Sequence, residues 1–200
     1  MTFVTLPMYP FPRSVAAVAN LAIAIVKALM QRGHDVDWIK PHLPDHEALE
    51  AHWLSPDLGL SQACGLPLVE ALAGQVLPVG TFRWAEVHSP SGRYRSVIVA
   101  RRNRPSNHRP LRPAINGFPS LSGWASLGDY LFRHEFTTSP PLVTGSHRAS
   151  LEALQRGDAD LASIDAVSWA MTENAERRDL DVIGEGPEVP GLPLIILECF

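Results

Sequence analysis

Three segments of the chain leave an apolar run, pass through small hydroxyl or glycine residues and enter a helical pattern. They are Leu60-Ser61-Gln62-Ala63-Cys64-Gly65, Asn116-Gly117-Phe118-Pro119-Ser120-Leu121-Ser122-Gly123 and Thr144-Gly145-Ser146-His147-Arg148-Ala149-Ser150. A helix start carries unpaired backbone N–H groups and the positive end of the dipole. Serine hydroxyls, and glycines that let the backbone come close, complete a cradle for an oxyanion. Plain N-capping is the competing reading, because serine is a favoured cap in its own right. Three such junctions on one chain tilt the balance towards a ligand site.

Other side chains fall beside these junctions. His147 stands at the helix start where an imidazole N–H can donate to a ligand oxygen, or it is a surface histidine. Arg95 and Arg148 have the fork geometry for a phosphate or carboxylate, although exposed surface arginine is the plainer reading for Arg148. Asp165 follows the apolar run Leu161–Ile164; it is either an N-cap or a partner for a ligand ammonium or hydroxyl. Tyr9 and Tyr94 flank predicted strands and either offer hydroxyls to a small ligand or serve as core aromatics.

Several chemistries are excluded. The chain has neither G-x-x-x-x-G-K-[ST] nor G-x-G-x-x-G after its first strand, which argues against ATP and NAD, and no cofactor is implied. It also lacks G-x-S-x-G, and Ser146 beside His147 in sequence does not make a catalytic dyad. His42, His46 and His52 cluster near Asp45 and Glu47, but without H-E-x-x-H or a cysteine pair they read as a solvated helix and not a metal site. Scattered tryptophans give no stacking platform for nucleic acid.

Positioning these residues requires an alternation of strands and helices. Thr2–Leu6 reads as a strand, and the apolar spacing from Val15 to Leu29 predicts a helix with Gly33 as its cap. Val36–Ile39 completes a βαβ unit, which predicts a parallel sheet. Helices are expected over 45–53, 65–72, 122–133, 149–155 and 168–177, and strands over 58–61, 76–82, 94–101, 114–116, 142–144, 161–164, 180–183 and 194–197. Two small sheets fit better than one long one, with a first lobe over 1–87 to which 188–200 returns and a second over 88–187.

The composition agrees. Two hundred residues with 46% hydrophobic and 19% charged content are globular and long enough to bury a core. A net charge of -4 gives no field for nucleic acid or anionic lipid. The apolar stretch from Val15 to Met30 contains Asn20 and Lys27 and is too short to span a bilayer, so no membrane insertion is expected. Cys64 and Cys199, far apart, read as reduced thiols. No basic leader precedes an apolar core at the N-terminus, so the chain as given reads as cytoplasmic, and as periplasmic if a leader has been removed.

Taken in order, the segments resemble the phosphate/phosphite/phosphonate substrate-binding proteins of ABC transport systems. The resemblance is carried by Leu6-Pro7-Met8-Tyr9, Leu60–Val69, Tyr94-Arg95-Ser96, Ala114-Ile115-Asn116, Ser120-x-Ser122-Gly123, Thr144–Ser150 and Gly157–Asp165, nearly the whole chain. It implies an α/β, two-lobed type II periplasmic-binding-protein-like fold with a central ligand cleft. By the same resemblance Ser120, Ser122 and the Gly123 amide bind phosphonate oxygens, His147 and Tyr94 line the site, and Asp165 meets a ligand amine. Ser61, Gln62 and Tyr9 contribute from the other lobe. Phe118-Pro119 and Trp124 depart from the family pattern, which narrows the site or shifts its specificity.

The implied function is binding of a small oxyanion by lobe closure, without turnover, for delivery to an ABC permease. Two other classes share this fold. One is a cytosolic enzyme resembling the menaquinone-pathway dehydratase or pyrimidine-synthesis proteins, in which His147 and Asp165 supply acid–base groups. The other is an intracellular ligand sensor.

Overall fold

The computed structural model describes residues 2–9, 14–38, 48–85, 87, 92–102 and 110–197. The chain divides into two compact units, Met1–Phe82 with Gly191–Phe200, and Arg83–Pro190. The histidine and carboxylate group at 42–47 and the second cysteine, Cys199, lie outside the described residues.

In the first unit, β1 (Thr2–Thr5), α1 (Val15–Met30) and β2 (Val36–Trp38) form the βαβ element expected from the spacing, with β1 and β2 parallel. Ala22 and Val26 are the buried residues of α1, and Val26 packs with Val4 and Val36. Gln31 caps the helix, and Gly33 takes the left-handed turn two residues later at φ +88°, a region that favours glycine. The chain continues through α2 (Ala48–Trp53), β3 (Leu58–Gln62), α3 (Gly65–Val69) and β4 (Val76–Thr81). The final strand, β12 (Pro193–Leu197), inserts antiparallel between β3 and β4, giving the order β2-β1-β3-β12-β4. The sheet is therefore mixed where the βαβ spacing predicted a parallel one, because β12 enters from the returning end of the chain.

The second unit begins with β5 (Arg93–Tyr94), which pairs with β11 (Val189–Pro190) in a two-stranded ribbon. Its main sheet has the order β10-β6-β9-β7-β8, built from β6 (Ser96–Arg101), β7 (Pro113–Ile115), β8 (Leu142–Val143), β9 (Leu161–Asp165) and β10 (Leu180–Glu185). The run expected as a single strand over 94–101 is broken at Arg95, because Tyr94 pairs with the ribbon and Ser96 onward with the main sheet.

Helices cover both faces of this sheet. On one side α5 (His147–Arg156) places Leu151 and Leu154 against Val99, Ala162 and Ile164. On the other, α4 (Ser126–Arg133) sets Leu127, Tyr130 and Leu131 against Ile98, Ala100 and Leu161. Consecutive residues of β6 and β9 thus serve opposite cores, and all five residues of β9 are buried. Each fully buried leucine here contributes about 2 kcal/mol relative to exposure. The short helix α6 (Ala166–Met171) begins two residues earlier and ends six earlier than expected. Asp165 caps its start, and Thr172 leaves the helix with extended backbone at ψ 145° while its hydroxyl donates to the Trp169 carbonyl.

An ion pair between a part-exposed arginine and a buried carboxylate ties the edge of this unit together. Asp160 is 1% exposed; it accepts the Arg112 backbone N–H at 2.8 Å and the Arg112 guanidinium at 2.9 and 3.2 Å. The same guanidinium donates to the Gly157 carbonyl at 2.7 Å.

Candidate functional site

β7, β8 and β9 run parallel to one another, so their carboxyl ends lie along one edge of the sheet. In parallel sheets this edge is where ligands bind. Leaving β7, the chain reaches Ser120, whose Oγ accepts the Gly123 N–H at 3.0 Å and opens a π-turn over Leu121–Ala125 before α4. Sequence periodicity reads this segment as ordinary helix; the extra residue is signalled by Ala125 N–H donating to the Ser120 carbonyl at 3.1 Å, five residues back. Such π-turns are rare and concentrate at functional sites. The chain leaving β8 brings Ser146, whose Oγ caps α5 by accepting the Ala149 N–H at 3.1 Å, and with it His147. The end of β9 supplies Asp165.

These ends meet. Ser122 Oγ lies 2.9 Å from His147 Nε2, and Asp165 Oδ2 lies 3.3 Å from the same nitrogen. Ser122 and Asp165 are both buried. A nitrogen facing a carboxylate carries a proton, so Nε2–H donates and the Ser122 oxygen accepts. Ser122 therefore keeps its own hydroxyl proton to donate elsewhere. Asp165 also accepts the Ser168 backbone N–H at 2.9 Å and the Ser168 hydroxyl, while Ser163 Oγ donates to the Ser122 carbonyl at 2.6 Å. A nucleophilic triad needs the acid and the hydroxyl on opposite nitrogens of the imidazole. Here both sit on Nε2, an arrangement suited to holding donors still and not to activating a nucleophile.

Ser120, Ser122, Gly123, His147 and Asp165 thus gather in the second unit. Tyr94 is buried in the same unit on β5. Ser163 and Ser168 were missed in the sequence, yet both sit at readable offsets from Asp165: two before it on the same strand face, and three after it at helix-cap spacing. Arg148 pairs with Glu152 and Glu176, and Arg95 with Glu185 and Glu188, both arginines through half-exposed side chains. Neither arginine belongs to the donor group. Phe118 and Trp124, the two departures from the family pattern, pack edge to face at 5.2 Å.

In the first unit the parallel strands β1 and β3 bring Thr5 opposite Ser61. Thr5 Oγ1 is 2.9 Å from Ser61 Oγ and 2.8 Å from His52 Nε2, a buried polar chain that engages the Ser61 hydroxyl internally. Gln62 Nε2 is buried with no hydrogen-bond partner among the described residues, and the Tyr9 carbonyl accepts the Ser14 hydroxyl at 2.8 Å. Burial holds the His52 imidazole below its ordinary pKa of 6.5. The unfolded chain then binds a proton that the folded one resists, so this contribution to stability is complete above that value and is lost as pH falls. Urea midpoints measured between pH 7.5 and 5.5 are expected to drop more steeply for the wild type than for His52→Gln. Equal slopes would remove His52 as the cause.

Among the described residues, no group of three or more His, Cys, Asp or Glu is placed to hold a metal, and no helix is long and apolar enough to cross a membrane.

Two α/β units of this topology have the two-lobed fold of the type II periplasmic-binding class. Residues 43–198 match the family described as ABC transporter, phosphonate, periplasmic substrate-binding protein, and the chain belongs to that family. Solved structures share the fold. PhnD1 from Prochlorococcus marinus, in complex with methylphosphonate, is 17% identical with a TM-score of 0.71, over 97% of this chain and 75% of that one. The binding-protein component of an ABC phosphonate transporter from Pseudomonas aeruginosa is 18% identical with a TM-score of 0.70, over 97% and 68%. A Xanthomonas citri protein bound to chloride ion is 15% identical with a TM-score of 0.71, over 100% and 78%. No curated protein sequence matches.

Proposed function

We propose that the protein binds a small phosphorus oxyanion of the phosphonate class and presents it, unaltered, to an ABC permease from the periplasmic side of a membrane. The observation that carries this reading is the Ser120-capped π-turn, which sets the Ser122 hydroxyl 2.9 Å from His147 Nε2; with a proton on that nitrogen, the serine hydroxyl donates to an anion. Fixed neutral donors suit an oxyanion that must be released again, because they give orientation without the strong hold of a paired charge. Family membership supports binding over catalysis, as does the sharing of one imidazole nitrogen by Ser122 and Asp165.

The test is calorimetric titration and thermal shift with methylphosphonate, phosphite, phosphate, sulfate and an aromatic carboxylate. A ligand at about 100 times its Kd stabilises the native state by roughly 2.7 kcal/mol, a shift that melting curves resolve. One phosphorus oxyanion is expected to bind saturably and emerge chemically unchanged. Ser120→Ala with Ser122→Ala is expected to weaken it by about tenfold or more. Unchanged affinity in the double variant, or conversion of the ligand, would reject the proposal.

A further inference from the structure

Asp165 closes β9 and opens α6, and its carboxylate is already spoken for. Oδ1 accepts the Ser168 N–H at 2.9 Å; Oδ2 accepts the Ser168 hydroxyl and lies 3.3 Å from His147 Nε2. The residue is 3% exposed. A carboxylate offers about four acceptor positions; two of these take the Ser168 donors, and the Oδ2 atom that bears one of them also faces the His147 nitrogen. At 3% exposure the remaining positions give an ammonium little access, and one that reached them would compete on the oxygen that orients His147.

We propose that Asp165 is a positioning residue, and that the site therefore takes phosphorus oxyanions that carry no ammonium group. This inference rests on the oxyanion reading above and narrows it. Asp165 fixes the proton on His147 Nε2; that N–H donates to Ser122 Oγ, and the Ser122 hydroxyl is left pointing its proton at the ligand. Ser163 holds the Ser122 backbone from behind through the 2.6 Å bond to its carbonyl. The carboxylate thus acts on the anion through two intervening groups and does not touch it.

The experiment compares methylphosphonate with aminoethylphosphonate by calorimetry on the wild type and on Asp165→Asn, and reads the His147 imidazole nitrogen shifts by NMR, assigned through His147→Gln. Asparagine is an equally good N-cap, so the variant keeps the start of α6. The expected results are a wild-type preference of about tenfold for methylphosphonate and a His147 tautomer protonated at Nε2. In Asp165→Asn that tautomer is lost and methylphosphonate binding falls about tenfold. A wild-type preference for aminoethylphosphonate that disappears in Asp165→Asn would overturn this inference alone and make Asp165 the ligand's amine partner. An unchanged tautomer with unchanged methylphosphonate affinity in the variant would overturn it equally. Silence from every phosphorus compound would overturn the oxyanion reading itself, and this inference with it.

Discussion

Replacing Arg112 by Met is expected to destabilise the second unit by about 3 kcal/mol. Asp160 is 1% exposed and receives both guanidinium bonds, at 2.9 and 3.2 Å, from this one side chain. Breaking a pair from the exposed side takes two charge-assisted bonds from a buried carboxylate, which costs more than an exposed ion pair contributes. The Gly157 carbonyl loses its 2.7 Å donor in the same step. Removing the charge from the buried partner as well separates these effects. Arg112→Met with Asp160→Asn is expected to recover more than half of the loss, because the buried position then carries no charge. Urea denaturation of the wild type, both single variants and the double variant completes the cycle. If Arg112→Met costs less than about 1 kcal/mol, the pair is an ordinary surface bridge and not a tie of the fold.

Periodicity and spacing placed most elements of the fold. The helical repeat from Val15, the β-branched run Val97-Ile98-Val99 and the apolar Leu161–Ile164 all read correctly, because each is a local signal of burial. What escaped is set by partners distant in sequence. The antiparallel insertion of β12 depends on the returning end of the chain, and the break at Arg95 depends on the ribbon partner at Val189. At the site, residue types alone singled out Ser122, His147 and Asp165, but not the sharing of one imidazole nitrogen. That sharing arises from the parallel alignment of β7, β8 and β9, which brings together side chains up to 43 residues apart. Asp165 accepts bonds from Ser168 of its own chain, and in the first unit the parallel pairing of β1 with β3 sets Ser61 beside Thr5; neither contact is visible from residue type alone.

Gly123→Ala is expected to weaken oxyanion binding by about tenfold or more while leaving the fold in place. A Cβ at this position would come 1.8 Å from Asn116 Oδ1, 2.9 Å from Asn116 Cγ and 3.1 Å from Ser120 Oγ. The first two contacts are impossible without moving the Asn116 side chain, and the third presses on the atom that accepts the Gly123 N–H. Overpacking of a buried site costs about 1–3 kcal/mol, and loss of the serine cap about 1 kcal/mol. Both penalties fall on the π-turn that aims Ser122, so they appear in ligand affinity before they appear in global unfolding. Each 1.4 kcal/mol borne by the bound state is a factor of ten in Kd. Glycine is thus required here by the close approach of Asn116 and not by backbone conformation. That distinction can be measured: Asn116→Ala in the Gly123→Ala background removes the obstructing carboxamide and is expected to restore most of the methylphosphonate affinity. Failure of this rescue, with the single variant still folded by circular dichroism, would show that the cradle depends on the Asn116 carboxamide itself and not on the space beside it.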